Sequence, residues 1–322
     1  MRQRALIAIL LLSACPVITS ASSPEHQQLV SRYQEFSANL KPVVTTMPLH
    51  ISSVEVDGRL DVDVFGVINQ PFQRVAASLA APRSVCEFLL LNLNVKACTY
   101  KGIGDAASLK IYVAGKGYTP PYRSLSIEPL HQVSKRSPDY MAMALDAQKG
   151  IMGSSNYHVL TEVAPYQQRT LVRVSSSYQG SRISNMATQA YLRTFARDKI
   201  GFSVTGFDTR GKPVYIKGLQ AVIERNVVRS YMALQAYLEH SQKRNRPEQF
   251  EQRIHRWYDL TETYAMQLRE VERERYFYNK RREYRNQLRL QTKLDDRSGS
   301  GAVTTRAQTG SGQGFNAIRT TK

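Results

Sequence analysis

Between residues 50 and 180 the chain repeats one pattern. Short runs of alternating apolar and polar residues are separated by glycine, proline and polar turns. A period of two puts one face of each run toward a core and the other toward water, which is the signature of antiparallel strands. Ile51 to Val56 alternates, Asp57-Gly58 is a hairpin turn, and Leu60 to Ile68 alternates again, with Asp61 and Asp63 opposite Leu60, Val62 and Val64. Pro71 opens a short helix through Leu79, and Pro82 to Leu90 reads as a second. Six further strands follow: Val95 to Tyr100, Leu109 to Ala114, Leu125 to Val133, Tyr140 to Leu145, Tyr157 to Val163 and Thr170 to Tyr178. Six strands joined by short turns can only meander.

After residue 180 the period changes to that of helices. Ile183 to Lys199 reads as one helix. A hairpin follows, Phe202 to Phe207 and Pro213 to Lys217, and then a long helix, Leu219 to His240, with Ile223, Val227, Tyr231, Leu234 and Leu238 inward. A second long helix is predicted from Pro247 to about Leu290. Its stripe of Phe250, Ile254, Trp257, Thr261, Tyr264, Leu268 and Val271 keeps a three-four alternation. The segment 246–272 has four basic and six acidic residues, and 273–293 has eight basic and two acidic. That gradient complements the macrodipole of a single helix. Residues 294–322 are rich in Gly, Ser, Thr and Gln and are expected to be disordered.

The start of the chain reads as a secretion signal over residues 1–21. Arg2 and Arg4 precede the apolar run Ala5 to Leu12, and small residues end at Ser20, Ala21 and Ser22. Two cleavages are open: after Ala21, or before Cys15, since Leu12-Ser13-Ala14-Cys15 has the form of a lipobox. The expected location is periplasmic or exported, with a lipid anchor in the second case. Cys86 and Cys98 then remain as an even pair. In an oxidising compartment they favour a disulfide over two separate buried thiols, and no CxxC accompanies them. Residues 24–41 form a short amphipathic helix with Leu29, Tyr33, Phe36 and Leu40 on one face, expected to pack rather than to enter a membrane.

The formal charge is +18. In an exported chain such charge points to membrane surface or other envelope polyanions rather than to nucleic acid. None of the six histidines stands in a metal-ligand spacing, and there is no GxSxG or SxxK. The sequence therefore calls for no metal, no cofactor and no catalysis. Its densest polar constellation is Glu224, Arg225, Asn226 and Arg229 on the helix 219–240. If inward, Arg229 can hold a carboxylate or phosphate; the structural alternative is a salt bridge, with Glu224 as one partner. Tyr112, Tyr157 and Tyr178 lie in predicted strands as further lining candidates. Arg275 to Arg285 interleaves aromatics with cations, as a membrane- or partner-facing helix would.

This order of elements is similar to the helix-grip fold of the START and Bet v 1-like superfamily. Asp61 to Val75 resembles its first strand running into its first helix. Val222 to Leu238 resembles a segment of a family of bacterial exported proteins. The resemblance covers roughly 55–240 and implies an α+β domain, 48–241, with a curved antiparallel sheet wrapped on a long helix. The charged helix 246–293 is an addition. It also implies an apolar or lipid-like ligand held between sheet and helix by a non-enzymatic protein. The alternative function is an envelope scaffold that docks a partner or membrane surface through 246–293.

Overall fold

The computed structural model describes residues 22–39, 49–102, 105–150, 155–179, 199–241 and 246–308. The signal segment with Cys15, and the helix expected over 183–199 apart from its last residue, lie outside them.

The elements are α1 (Pro24–Asn39), β1 (His50–Val56), β2 (Arg59–Ile68), α2 (Phe72–Ala80), α3 (Pro82–Leu89), β3 (Val95–Lys101), β4 (Ala106–Val113), β5 (Leu125–Ile127), β6 (Leu130–Ser137), β7 (Tyr140–Lys149), β8 (Ser155–Tyr166), β9 (Arg169–Gln179), β10 (Ile200–Phe207), β11 (Pro213–Lys217), α4 (Gly218–Glu239), α5 (Arg246–Glu262), α6 (Ala265–Leu268) and α7 (Arg273–Gln308). The main sheet is antiparallel and curled, in the order β1-β2-β9-β8-β7-β6-β4-β3, with β5 paired to β4; β10 and β11 form a separate hairpin. The run expected as one strand over Leu125 to Val133 is two, β5 and β6. Pro129 falls at the break and lacks a ladder N–H, while its carbonyl accepts from Leu109 N at 2.9 Å.

The alternation read from the sequence sorts the two sheet faces. Leu60, Val62, Val64 and Ile68 of β2 join Met141, Met143, Leu145, Val163, Val172 and Val174 in one core with α2, α3 and α4. On the opposite face Phe65, Tyr140, Ala142, Ala164 and Leu171 are covered by Leu29 and Tyr33 of α1. The amphipathic helix is thus a packing helix, as expected. Cys86 and Cys98 are bonded, with Cα atoms 5.0 Å apart, and tie α3 to β3.

Helix α4 lies directly on the sheet. A Cβ at Gly66 would stand 2.6 Å from Tyr231 Cζ and 2.8 Å from Leu49 Cδ2, so the backbone of β2 and the ring of Tyr231 meet where only glycine fits. Adding one methyl there overpacks the core. Gly66→Ala is expected to cost about 1–3 kcal/mol, read by urea unfolding, and Tyr231→Leu in the same chain should restore part of the loss.

The single long helix expected over 246–293 is not observed. The chain breaks between residues 263 and 272, where Thr261 Oγ1 and Thr263 Oγ1 donate to the carbonyls of Tyr258 and Leu260, and Arg269 is extended at φ −64° and ψ 124°. α7 then returns antiparallel to α5. Phe250 stacks on Tyr284 at 4.1 Å between centroids and Trp257 on Tyr276 at 4.8 Å. The charge gradient has a different cause from the macrodipole: the acidic half faces the basic half, with Arg281–Glu251 at 2.9 Å and Arg273–Asp259 at 2.8 Å. The expectation of disorder needs correction over 294–308, where α7 continues to Gln308, since extending a formed helix costs far less than starting one; the rest of that tail, 309–322, lies outside the described residues.

α7 docks along the edge strand β3. Gln287 Oε1 accepts from Cys98 N at 2.7 Å, and Gln291 both accepts from Tyr100 N and donates to Tyr100 O at 3.0 and 3.1 Å. One turn earlier, Lys280 donates to the carbonyls of Asn92 and Val95 and pairs with Glu283 at 2.7 Å; Glu283 also meets Lys96 at 3.2 Å. All three charged groups are buried. Burial pushes the Lys280 ammonium down to about 8, against the pull of Glu283. The folded chain therefore gives up this proton near pH 8 and the unfolded chain near 10.5, so the unfolded state binds more protons between them. Stability from this group rises with pH across that window. Urea midpoints taken from pH 7.5 to 10.5 should climb in the wild type and lose this component in Lys280→Met.

Candidate functional site

The residues singled out in the sequence do not converge on one site. Glu224, fully buried on α4, accepts from Phe202 N at 2.6 Å, Ser203 N at 3.1 Å, Ser203 Oγ at 2.6 Å and Ser53 Oγ. It anchors β1 and β10 to the helix and is not the partner of Arg229. Tyr112 lies on β4, at the far edge of the sheet from β1. Tyr157 stands on the core face of β8 beside Ser176. Tyr178 pairs with Leu60 in the β2–β9 ladder, but its side chain lies outside the described residues.

The arginines are claimed by a residue that the sequence offered only as part of a charge count. Glu270, in the linker between α6 and α7, meets Arg225 at 2.5 Å and Arg229 at 2.9 Å through Oε1, and Lys199 and Lys116 at 2.9 Å each through Oε2. Arg229 also donates to Leu268 O at 2.8 Å, and its own carbonyl accepts from Trp257 Nε1 at 3.1 Å. Lys116 belongs to the Gly115-Lys116-Gly117 bend after β4, and its side chain reaches back to the helical layer. Burial opposes the charge on Glu270, but Arg229, Lys116, Lys199 and Arg225 together hold its carboxyl well below the usual glutamate range. A depressed carboxylate stabilises the fold above its unfolded value, near 4.5, and the gain is lost as pH falls below that. Glu270→Gln removes the carboxylate that the buried Arg225 and Arg229 share and should cost about 3–5 kcal/mol at pH 7. In acid titration of stability the variant should show a shallower limb below pH 4.5 than the wild type.

The aromatic–cation run of α7 is largely consumed as well. Tyr276, Phe277 and Lys280 are buried, Tyr276 Oη donates to Leu91 O at 2.7 Å, and the Arg282 guanidinium lies 3.7 Å from the Tyr118 centroid. What remains open is farther along the helix. A cleft of about 500 Å³ runs between the outer face of β3–β4 and the end of α7. Lys101 and Lys110 come from the strands, Lys293 and Arg297 from α7, and Leu290 and Leu294 provide apolar wall. Glu128 is the carboxylate among its lining residues. It pairs with Lys110 at 2.5 Å, and this hydrogen bond raises the lysine's pKa. Lys110 also lies 5.9 Å from the Tyr112 centroid. Tyr112 therefore does line a cavity, on the outside of the sheet rather than beneath α4. Strand periodicity could have shown this: Ser108, Lys110 and Tyr112 alternate with the buried Leu109 and Ile111.

Among the described residues no group of three His, Cys, Asp or Glu side chains is placed to hold a metal ion, and no helix is long and apolar enough to cross a membrane.

With the β10–β11 hairpin set aside, the strand order runs from β1 through β2 and β9 to β3, and the long helix α4 lies across the core face. This is a helix-grip fold. No model of a known protein family matches the sequence, and no curated protein does. Solved structures do match. A fragment of a STAR-related lipid transfer protein from Xanthomonas axonopodis is 12% identical with a TM-score of 0.35, covering 48% of this chain and 89% of that one. Human STARD10 is 11% identical with a TM-score of 0.33, covering 54% and 76%. The likeness is confined to the fold, and the fold stands on this chain's own strand order.

Proposed function

We propose that this chain is a non-enzymatic binding module of the bacterial cell envelope, a scaffold that takes an acidic protein segment in the cleft between α7 and β4. The carrying observation is the cleft itself, where four cations face one carboxylate that is already paired. Exposed cations keep their hydration until a partner arrives and suit a reversible, salt-sensitive contact. The packing beneath α4 supports the same reading, because Tyr231 against Gly66 occupies space that a carrier would leave to its ligand. The envelope address rests on the leader-like residues 1–21. Hexaglutamate serves as a probe in calorimetry. It should bind the wild type, weaken with salt, and lose at least about tenfold in affinity in Lys293→Glu/Arg297→Glu, which reverses two of the three cations that the Lys110–Glu128 pair leaves open. Absence of binding to the wild type, or equal binding to the variant, would remove the scaffold reading.

A second reading has its own observation. The core face of the sheet continues past α4 to Leu145, Ala147, Tyr157 and Val159, and the last two are only partly buried. An apolar or lipid-like ligand resting there would make the module a carrier. Native mass spectrometry of protein purified without detergent separates the two: a bound lipid that leaves on Val159→Glu favours the carrier.

A further inference from the structure

The hairpin β10–β11 stands apart from the main sheet and has a rigid base and a bare tip. Glu224 fixes the base through the Phe202 and Ser203 backbone N–H groups and two serine hydroxyls. The turn is closed as firmly. Asp208 Oδ1 accepts from Arg210 N and Lys212 N at 2.8 Å each, Asp208 N donates to Lys212 O at 2.8 Å, and Gly211 takes φ +72°. At this tip Phe207 is 67% exposed, Val214 42% and Val204 38%. The register sets Phe207 against Pro213 and Val204 against Tyr215, so Phe207, Pro213 and Val204 share one face of the ribbon, and Val214, opposite Gly206, lies on the other. Arg210 and Lys212 are exposed beside it and make no ion pair among the described residues, while Asp208 Oδ1 is engaged by the turn backbone.

A surface that exposes an aromatic ring beside free cations is matched to an interface that is apolar inside and anionic outside. We infer that the β10–β11 tip docks on an anionic phospholipid bilayer, with Phe207 entering the interface and Arg210 and Lys212 meeting lipid phosphates. The cations are drawn to the anionic surface, and the ring removes apolar area from water as it enters. The sum gives reversible rather than permanent attachment. The stiffness of the base has a use here, since it sets the angle at which the rest of the molecule meets the membrane. The contact is separate from the cleft and does not depend on what the cleft holds.

The full chain can be co-sedimented with phosphatidylcholine vesicles with and without phosphatidylglycerol. The wild type should bind only the anionic vesicles, less so as salt rises. Phe207→Ser and Arg210→Glu/Lys212→Glu should each reduce the partition constant about tenfold or more, with circular dichroism unchanged because all three side chains are solvated. Lys293→Glu/Arg297→Glu should bind vesicles as the wild type does while losing hexaglutamate. The proposal is overturned if the wild type ignores anionic vesicles or the hairpin variants bind undiminished. It is equally overturned if the cleft variant alone loses binding, which would assign the contact to α7.

Discussion

Helix α4 is buried on every side, and the molecule is organised by the need to satisfy what that helix carries. Its inner face meets the sheet at Gly66, and its outer face is covered by α5 and the linker that follows it. A helix so enclosed would ordinarily be apolar all round. This one holds Glu224, Arg225 and Arg229 inside, and a buried charge without a counter-charge is far costlier than any single packing contact. Glu224 solves its own problem by collecting backbone N–H groups from β10. The arginines are solved by Glu270, which has to be delivered from a linker some forty residues later. The added C-terminal hairpin is therefore part of the core's electrostatics and not an appendage.

The strands were legible because a period of two leaves little choice: the β1–β2 hairpin, the two proline-opened helices and the order of the meander are all where alternation and turn residues put them. The helical hairpin was not. Phe250, Ile254, Trp257, Thr261, Tyr264, Leu268 and Val271 keep the same spacing whether the stripe continues straight or folds back, and the break has no proline or glycine to mark it. An acidic half followed by a basic half likewise fits one dipole or two facing helices. Only the long-range pairs Arg281–Glu251 and Trp257–Tyr276 distinguish these, and pairing across about twenty to thirty residues is invisible to local pattern.

The site was legible in its chemistry and not in its place. Arg225 and Arg229 did need an anion, but the chain supplies it as Glu270, and a carboxylate in a charge-rich run carries no mark of its partner. Tyr112 does line a cavity, on the face opposite to the one expected. The resemblance to lipid-holding folds directs attention beneath the long helix, where Tyr231 leaves no space at Gly66. The open features are peripheral: the basic cleft and the hairpin tip. The hairpin and the α7 wall of the cleft come from segments that a minimal helix-grip domain lacks, while the other wall is the sheet's own β3–β4.

The two glutamines on α7 have a further consequence. By offering amide groups at the spacing of a strand, Gln287 and Gln291 act as a selvedge on β3 and finish a sheet that would otherwise end in unmatched N–H and C=O groups. A chain cut short before residue 287 would fray along that border, and its raw margin would template pairing with a second copy.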